Sequence, residues 1–178
     1  MLVTKDIPGF PGYKARSDGV IIGTFGRPRK PTVTPRGYER VCVCLPTDRT
    51  KRKAFSVHRL ICTAFHPPPL PIERLVVDHI NGKKSDNRPE NLRWCTPRLN
   101  QLYHFNPNSK GVYPTSFNTW RVRMQVLGKR VQKHFSTLKE ARRYAMELKA
   151  ERLAEAEAEF AQMIAEYRSQ QDNALGTD

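Results

Sequence analysis

The sequence lacks any hydrophobic run that approaches the roughly 20 residues of a membrane-spanning helix. Its first residues, MLVTKDIPGF, also lack the apolar core of an export signal. We therefore expect a cytoplasmic protein without a membrane partner. A length of 178 residues leaves room for one ordinary domain or for two to three small modules.

Cysteine is scarce and is not spaced for zinc binding. The four cysteines, Cys42, Cys44, Cys62 and Cys95, include no C-x-x-C pair. In a chain expected to stay in the cytoplasm, they should remain reduced thiols. A zinc ribbon is therefore not indicated, and Cys42 and Cys44, which alternate with valines, are expected on one face of a buried strand.

Acidic residues are also few, and they are unevenly placed. The chain contains 17 Asp and Glu residues against 31 Lys and Arg residues, a net charge of +14. Residues 147–178 hold eight acids and three bases, so residues 1–146 carry a net charge of +19. A surface with this excess of positive charge favours a polyanion, such as nucleic acid, as the partner.

Turn signals and short apolar runs dominate the first half of the chain. Residues 7–57 contain Pro-Gly and Asp-Gly turns between runs of Val, Ile, Phe and Tyr, which predicts a compact antiparallel β module. A short helix should follow and end at the prolines at 67–69. A strand ending at Asp78 and His79, a polar loop, a second strand (LRWC) and a helix starting at Pro97 come next.

A second set of strands is predicted further along the chain. Residues 120–126 alternate between apolar and polar side chains, which indicates a strand with one core face and one cationic face. The next strand repeats the pattern, and Thr137 with Glu140 forms a capping box that opens a helix. Several side chains of the polar face can contact DNA, although a solvated sheet face is the alternative: Arg121, Arg123, Gln125, Arg130 and Gln132.

Polar residues between positions 78 and 100 suit the hydrolysis of a phosphodiester bond. His79 fits a general base because its ordinary pKa lies near 6.5. Asp78 and the amide oxygen of Asn100 fit a hard divalent cation, to which His104 could add a ligand. Asn91 suits a side chain that hydrogen-bonds backbone groups and fixes a loop. The alternative is that Asn91 and Asn100 are only turn and helix residues.

The run VDHINGKKSDNRPENLRWCTPRLNQ resembles the HNH motif of phage and group I intron-encoded homing endonucleases. Asp78, His79, Asn91 and Asn100 occupy its motif positions. The resemblance implies the ββα-metal fold and DNA hydrolysis with one Mg²⁺ or Mn²⁺ ion, which yields 3′-hydroxyl and 5′-phosphate ends. It implies that Asp78 and Asn100 hold the metal and that His79 and Asn91 are catalytic. Asparagine at the third motif position, where many members have histidine, is similar to the homing subgroup.

The flanking segments resemble two further modules. IPGFPGYKARSDGVI is similar to the nuclease-associated module that precedes such motifs, and residues 110–146 are similar to the ethylene-response-factor DNA-binding domain of plants. In that domain the sheet enters the major groove.

Arg93, on the second strand of the nuclease motif, is expected to contact DNA by holding a backbone phosphate or stabilising the phosphorane.

These observations together predict an α+β protein. A ββα-metal (HNH) nuclease core at 56–106 would be flanked by a small antiparallel β module at 1–55 and by a three-stranded-sheet-plus-helix DNA-binding domain at 107–148. An acidic helical extension with a disordered end would occupy 149–178. The predicted function is site-specific cleavage of double-stranded DNA, as a monomer on DNA, in support of homing.

Two other functions are compatible with the same charge and modules. A catalytically inactive, sequence-specific DNA-binding regulator on the nuclease scaffold would bind DNA equally well. The presence of all four motif residues favours the enzyme, because a retired nuclease has no reason to keep them together. A nonspecific degradative nuclease would have no need of the additional DNA-binding domain.

Overall fold

The structure, a computed structural model, describes residues 1–44, 47–48, 50–106, 111–126 and 129–175. Its contacts divide the chain into two compact units, Met1–Cys95 and Thr96–Asp178. The finer partition into four segments, with boundaries after residues 55, 106 and 148, stays a prediction, and residue 107 lies outside the described residues. None of the described helices combines the length and the apolar character needed to cross a membrane. The cellular compartment stays a prediction.

The described part of the chain folds into short strands and three α-helices. The strands are β1 (Thr4–Asp6), β2 (Lys14–Arg16), β3 (Ile21–Ile22), β4 (Thr32–Val33), β5 (Glu39–Cys44), β6 (Arg52–Ser56), β7 (Val76–His79), β8 (Leu92–Cys95), β9 (Val112–Pro114), β10 (Trp120–Val126) and β11 (Lys129–Phe135). The helices are α1 (Val57–Phe65), α2 (Pro97–Tyr103) and α3 (Leu138–Leu175), with 3-10 turns at Ile72–Arg74 and Pro89–Asn91.

The first unit contains three small antiparallel sheets: β1-β2-β3, β4-β5-β6 and β7-β8. Helix α1 packs against strands of all three sheets. It buries Val57, Leu60 and Ile61, whose spacing places them on one helix face. The N-terminal strands and the β7-β8 pair therefore share one helix as their common core.

Strand β5 corrects one expectation about the cysteines. Val41 and Val43 are almost completely buried, whereas Cys42 is exposed and Cys44 is half-buried. Because side chains alternate between the two faces of a strand, the valines take the inner face and the cysteines the outer one. The larger apolar side chains gain more free energy from burial, which explains the choice of face.

Gly19 lets the turn after β2 approach the loop that joins β7 to β8. Its φ is +87°, in the left-handed region that residues with a Cβ rarely adopt. A Cβ at this position would lie 2.9 Å from the carbonyl carbon of Asn87, too close for two non-bonded carbon atoms. The backbone angle and the available space therefore both require glycine here.

A left-handed conformation costs a non-glycine residue about 1–2 kcal/mol. We expect Gly19→Ala to lower the free energy of unfolding by more than this, because the new Cβ also clashes with Asn87. Gly9 provides the matched control, because its φ is +78° but nothing lies within 4 Å of a Cβ built there. Denaturant unfolding of Gly19→Ala and Gly9→Ala, measured side by side, separates the clash from the cost of the angle. Equal losses would mean that the turn moves away from Asn87 freely.

The second unit contains the sheet β11-β10-β9, with α3 packed on one face. Alternation along β10 places Val122 and Met124 in the core, where they meet Ala141, Ala145 and Leu148 of α3. Helix α3 begins as the sequence pattern indicates. Thr137 Oγ1 accepts a hydrogen bond from the Glu140 backbone N–H and donates one to the Glu140 carboxylate, which lowers the pKa of Glu140.

The acidic part of α3 lies beside α2. The Arg98 guanidinium donates to Glu155, at 3.0 Å, and to Glu159, and the Tyr103 hydroxyl donates to Glu157 at 3.1 Å. The helix continues to Leu175. No Gly or Pro occurs in the chain between α3's start and Gly176, so nothing in the backbone stops it earlier. Residues 176–178, part of the predicted disordered end, lie outside the described residues.

Candidate active site and nucleic-acid interface

The buried polar side chains of the described residues are concentrated around β7 and the loop that follows it. They are His58, Asp78, His79, Asn87 and Asn91. Burying polar groups costs free energy unless hydrogen bonds compensate for the lost water, so such a group of residues usually has a function. Three of the five are motif residues, whereas His58 and Asn87 were not predicted as site residues.

Asn91 holds the loop between β7 and β8 from both ends of its side-chain amide. Its Oδ1 accepts a hydrogen bond of 2.9 Å from the backbone N–H of Asn81, and its Nδ2 donates one of 2.8 Å to the carbonyl oxygen of Asp86. These are the backbone contacts expected of a loop-fixing side chain. Whether Asn91 contributes to catalysis stays a prediction.

Asp78 and Arg93 face each other across the β7-β8 pair. The Asp78 side chain is only 1% exposed, its Oδ2 accepts a 2.8 Å hydrogen bond from Nε of Arg93, and Nη2 of Arg93 lies 2.8 Å from the same oxygen. A buried carboxylate needs such a partner because transfer of its charge out of water is costly. Arg93 was predicted as a DNA contact, and the structure gives it this second role. A contact of Arg93 with DNA stays a prediction.

His79 is held by a residue pair that the sequence motif did not reveal. Its Nε2 lies 3.3 Å from Oδ1 of Asn87, and Nδ2 of Asn87 donates a 2.8 Å hydrogen bond to Oε2 of Glu39 on β5. Asn87 and Glu39 are 48 positions apart in the sequence. No local sequence pattern could have paired them.

His58 is buried on α1 among apolar residues, but its ring is not fully hydrogen-bonded. Its ring packs against those of Tyr38 and His79, with both centroid distances at 5.1 Å. Its Nδ1 is buried without a hydrogen-bond partner in the part of the chain that the structure describes. Burial, followed by the nearby charges of His79 and Arg59, lowers the pKa of His58 to about 4. The ring is therefore neutral at pH 7.

Asn100 and His104 belong to the second unit and lie at the middle and the end of α2. Thr96 caps this helix by accepting a 3.2 Å hydrogen bond from the Leu99 N–H. His104 is the C-cap of α2, and its backbone N–H donates a 3.3 Å hydrogen bond to the carbonyl oxygen of Asn100, one turn earlier. The roles of both residues as metal ligands stay predictions.

The donor chemistry fits a hard cation. Among the residues that the structure describes, no group of three or more His, Cys, Asp and Glu side chains could hold a metal ion. Mg²⁺ keeps several of its waters and is commonly bound through one or two carboxylates together with phosphate oxygens. Asp78 supplies one such carboxylate, and its Oδ2 is paired with Arg93 at 2.8 Å. This donor fits Mg²⁺ or Mn²⁺ better than a structural zinc ion.

The polar face of the β10-β11 pair presents the predicted DNA-contacting residues as three neighbouring cross-strand pairs. Arg121 faces His134, Arg123 faces Gln132, and Gln125 faces Arg130. Except for the half-buried Arg121, these side chains are exposed.

A recess of about 450 Å³ on the second unit is lined in part by Arg121, Arg123 and Arg130. The Nε of Arg121 is buried and has no hydrogen-bond partner within the described ranges. The sequence contains no acid from residue 91 to residue 139. The sheet face is therefore cationic and carries donors suited to phosphate or base edges.

Comparisons with known proteins bear on the nuclease segment. Residues 55–102, which contain Asp78, His79, Asn91 and Asn100, match the family model described as HNH endonuclease. DNA endonuclease I-HmuI of Bacillus phage SP01 is 37% identical over 102 residues, which are 54% of this chain and 53% of that protein. The SPbeta prophage protein YosQ of Bacillus subtilis (strain 168), whose name assigns it to the HNH homing endonucleases, is 30% identical over 103 residues, 57% of each protein.

The chain covers about half the length of each of these two relatives. A solved structure titled "DNA binding and cleavage by the HNH homing endonuclease I-HmuI" aligns with 78% of this chain and 80% of that chain, at a TM-score of 0.48 and 25% identity. The likeness of the flanks to a nuclease-associated module and to an ethylene-response-factor domain stays a prediction. The resemblance of residues 55–102 to HNH endonucleases is confirmed.

Proposed function

We propose that this chain is a site-specific DNA endonuclease of the homing type, which hydrolyses phosphodiester bonds of double-stranded DNA with one divalent metal ion. The observation that carries the proposal is the pair Asp78 and His79, buried side by side at the end of β7 within the segment that matches HNH endonucleases. The names of the curated relatives, DNA endonuclease and HNH homing endonuclease, support the same reaction class for this chain.

His79 is the proposed general base, which accepts a proton from the attacking water. A neutral imidazole at a fixed position performs this task because its ordinary pKa is close to the working pH. The residue is 5% exposed and its ring borders both Asn87 and His58, so its position is held by contacts with two residues. Asn91 assists by fixing the loop that directly follows His79, through its hydrogen bonds to the backbone of Asn81 and Asp86.

Asp78 and Asn100 are the proposed metal ligands. When bound there, Mg²⁺ or Mn²⁺ would stabilise the negative charge that develops on the departing 3′ oxygen. Asp78 supports this role with a buried, charged carboxylate. The assignment of Asn100 rests on its place in the motif and on the affinity of hard cations for amide oxygens.

The test of this function uses supercoiled plasmids with and without the genomic neighbourhood of the gene. Purified protein is incubated with each plasmid in Mg²⁺ or in EDTA. Cleavage only of the plasmid that carries the native neighbourhood, and only with Mg²⁺, supports a site-specific endonuclease. One copy of the motif predicts a nick in one strand per bound monomer. Tight DNA binding without cleavage under any metal would instead support the regulator.

The cationic sheet face is proposed to bind DNA, and Arg123 provides its test. We expect Arg123→Ala to weaken binding, because its exposed guanidinium is paired across the sheet with Gln132 and can reach phosphate or guanine. Loss of one phosphate contact lowers the slope of log affinity against log salt by about 0.9, whereas loss of a base contact costs about 1–3 kcal/mol at its own base pair. Titrations over a salt series with matched and altered DNA distinguish the two.

Arg142→Ala is the matched control for this prediction. Arg142 is an exposed cation of the same unit that lies on α3 instead of the sheet. Its loss should lower affinity less than the loss of Arg123. Equal losses for the two variants would mean that net charge alone, and not the sheet face, determines DNA binding.

A further inference from the structure

We infer that Asn87 and Glu39 are positioning residues that fix the ring orientation and the tautomer of His79. Strand β5 of the N-terminal region would then complete the nuclease site, in addition to any DNA contacts that the region makes. The inference rests on the proposed function, in which His79 is the base, but its structural part can be tested without DNA cleavage.

Glu39 determines which way the Asn87 amide points. A charged carboxylate only accepts hydrogen bonds, so the group that faces Oε2 of Glu39 must be the Nδ2 donor of Asn87, at 2.8 Å. The opposite end of the amide, Oδ1, then faces Nε2 of His79 at 3.3 Å. An amide oxygen can only accept, so Nε2 of His79 must carry the proton.

This arrangement assigns the tautomer of His79. With the proton on Nε2, a neutral imidazole has its basic lone pair on Nδ1. Nδ1 is therefore the nitrogen that accepts the proton from water. A carboxylate that orients a histidine through an intervening amide acts on the same principle as a carboxylate bonded to the ring directly.

The position of Asn87 is itself constrained by the N-terminal strands. Its side chain is 3% exposed, and the turn at Gly19 packs so closely on its backbone that a Cβ would clash. Lys84, in the same loop, donates a 2.9 Å hydrogen bond to the carbonyl oxygen of Arg36 and lies over the ring of Tyr38. The loop after His79 therefore contacts the turn at Gly19, two residues just before β5 (Arg36 and Tyr38) and the first residue of β5 (Glu39).

Two neighbouring residues of the first unit contact the His79 region from the N-terminal side. Glu39 reaches it through Asn87, and the ring of Tyr38 lies 6.0 Å from that of His79 and 5.1 Å from that of His58. The start of β5 therefore supplies both a hydrogen-bonding group and a ring wall. This geometry explains why Glu39, far from the motif in sequence, is half-buried and paired with a buried amide.

The experiment compares Glu39→Gln with the wild type and with Glu73→Gln, an identical change at an exposed residue of the same unit. A glutamine at position 39 can donate or accept, so the Asn87 amide is no longer held in one orientation. Nitrogen-15 NMR of histidine-labelled full-length protein reports the tautomer of His79, assigned with His79→Ala. We expect the Nε2–H form in the wild type and in Glu73→Gln, and a mixture of tautomers in Glu39→Gln.

Cleavage kinetics provide the second readout. Glu39→Gln and Asn87→Ala should lower kcat by roughly 10–100-fold, the usual effect of removing a group that orients a catalytic or metal-bound histidine, with KM and DNA affinity unchanged. The double variant Asn87→Asp with Glu39→Gln restores the row of hydrogen bonds. The new carboxylate at position 87 accepts one hydrogen bond from the glutamine amide at position 39 and one from Nε2–H of His79. The double variant should recover the Nε2–H tautomer, whereas Asn87→Asp alone places two carboxylates together and should be less stable.

Several outcomes would overturn the inference. One is a wild-type His79 with its proton on Nδ1, and another is a Glu39→Gln variant with unchanged NMR signals and unchanged kcat. Failure of the double variant to recover the tautomer would do the same. If the wild type cleaves no DNA but the tautomer responds to Glu39→Gln as expected, the proposed function fails while the positioning role of Asn87 and Glu39 stands.

Discussion

Replacing His79 with alanine is expected to lower the rate of DNA cleavage by a factor of about 10²–10⁴, the usual contribution of a positioned general base. The water would then have to lose its proton to solvent instead of to a fixed imidazole. Affinity for DNA should stay the same, because the ring is 5% exposed and the cationic residues proposed to hold DNA are elsewhere in the sequence. Single-turnover cleavage at saturating protein, together with a separate binding titration, measures the two quantities.

His134→Ala is the matched control for this prediction. His134 is exposed on β11 and is paired across the sheet with Arg121. Its replacement should change affinity, if it changes anything, and leave the rate at saturating protein as in the wild type. A His79→Ala protein that cleaves as fast as the wild type would show that another group takes the proton.

Local sequence patterns were sufficient to predict where Asp78, His79 and Asn91 lie relative to β7, β8 and the loop between them. Asp78 and His79 end a strand, and Asn91 bonds the loop backbone on both sides, because a strand, a polar loop and a strand are encoded within about twenty consecutive residues. The exposed face of β10 could be predicted for the same reason. Alternation with a period of two needs no information from the rest of the chain.

Contacts between distant segments were not predictable in this way. The bond between Asn87 and Glu39 depends on how two sheets of the first unit pack around α1, and His58 meets His79 through the same packing. A single sequence contains no signal for such contacts, since each of these residues is ordinary in its own segment. Buried polar residues outside the motif could be recognised only once the fold was known.

The role of Arg93 depends on strand register, which the sequence also left open. Its side chain points to the same side of the β7-β8 pair as that of Asp78 because the two residues are direct cross-strand partners. A shift of one residue would have placed Leu92 opposite Asp78 and left a buried carboxylate against an apolar side chain. The pairing of Asp78 with Arg93 therefore stabilises the register that also sets the position of His79.

Arg93→Ala is accordingly expected to destabilise the protein by up to about 3 kcal/mol, the lower end of the loss when one partner of a buried ion pair is removed, because the Arg93 side chain is 35% exposed. The Asp78 carboxylate, 1% exposed, would be left without the cation that donates a hydrogen bond to it and pairs with it at 2.8 Å. The double variant Asp78→Asn with Arg93→Met should recover much of this loss, because it removes the buried charge together with its partner. Denaturant unfolding in EDTA measures all three proteins.

Arg88→Ala is the matched control, because it removes an arginine that is bonded to a carboxylate in a similar way but at an exposed position. Arg88 also holds a carboxylate, that of Asp86, through two hydrogen bonds of 2.8 and 2.9 Å, and this interaction lowers the pKa of Asp86. Arg88 itself is exposed, so solvent replaces the lost bonds and stability should change little.

Added Mg²⁺ should raise the melting temperature of Arg93→Ala more than that of the wild type, since a cation at Asp78 restores the missing positive charge. Equal shifts in the two proteins would mean that the bound metal does not replace the charge of Arg93, and no shift in either protein would mean that Asp78 does not bind the metal.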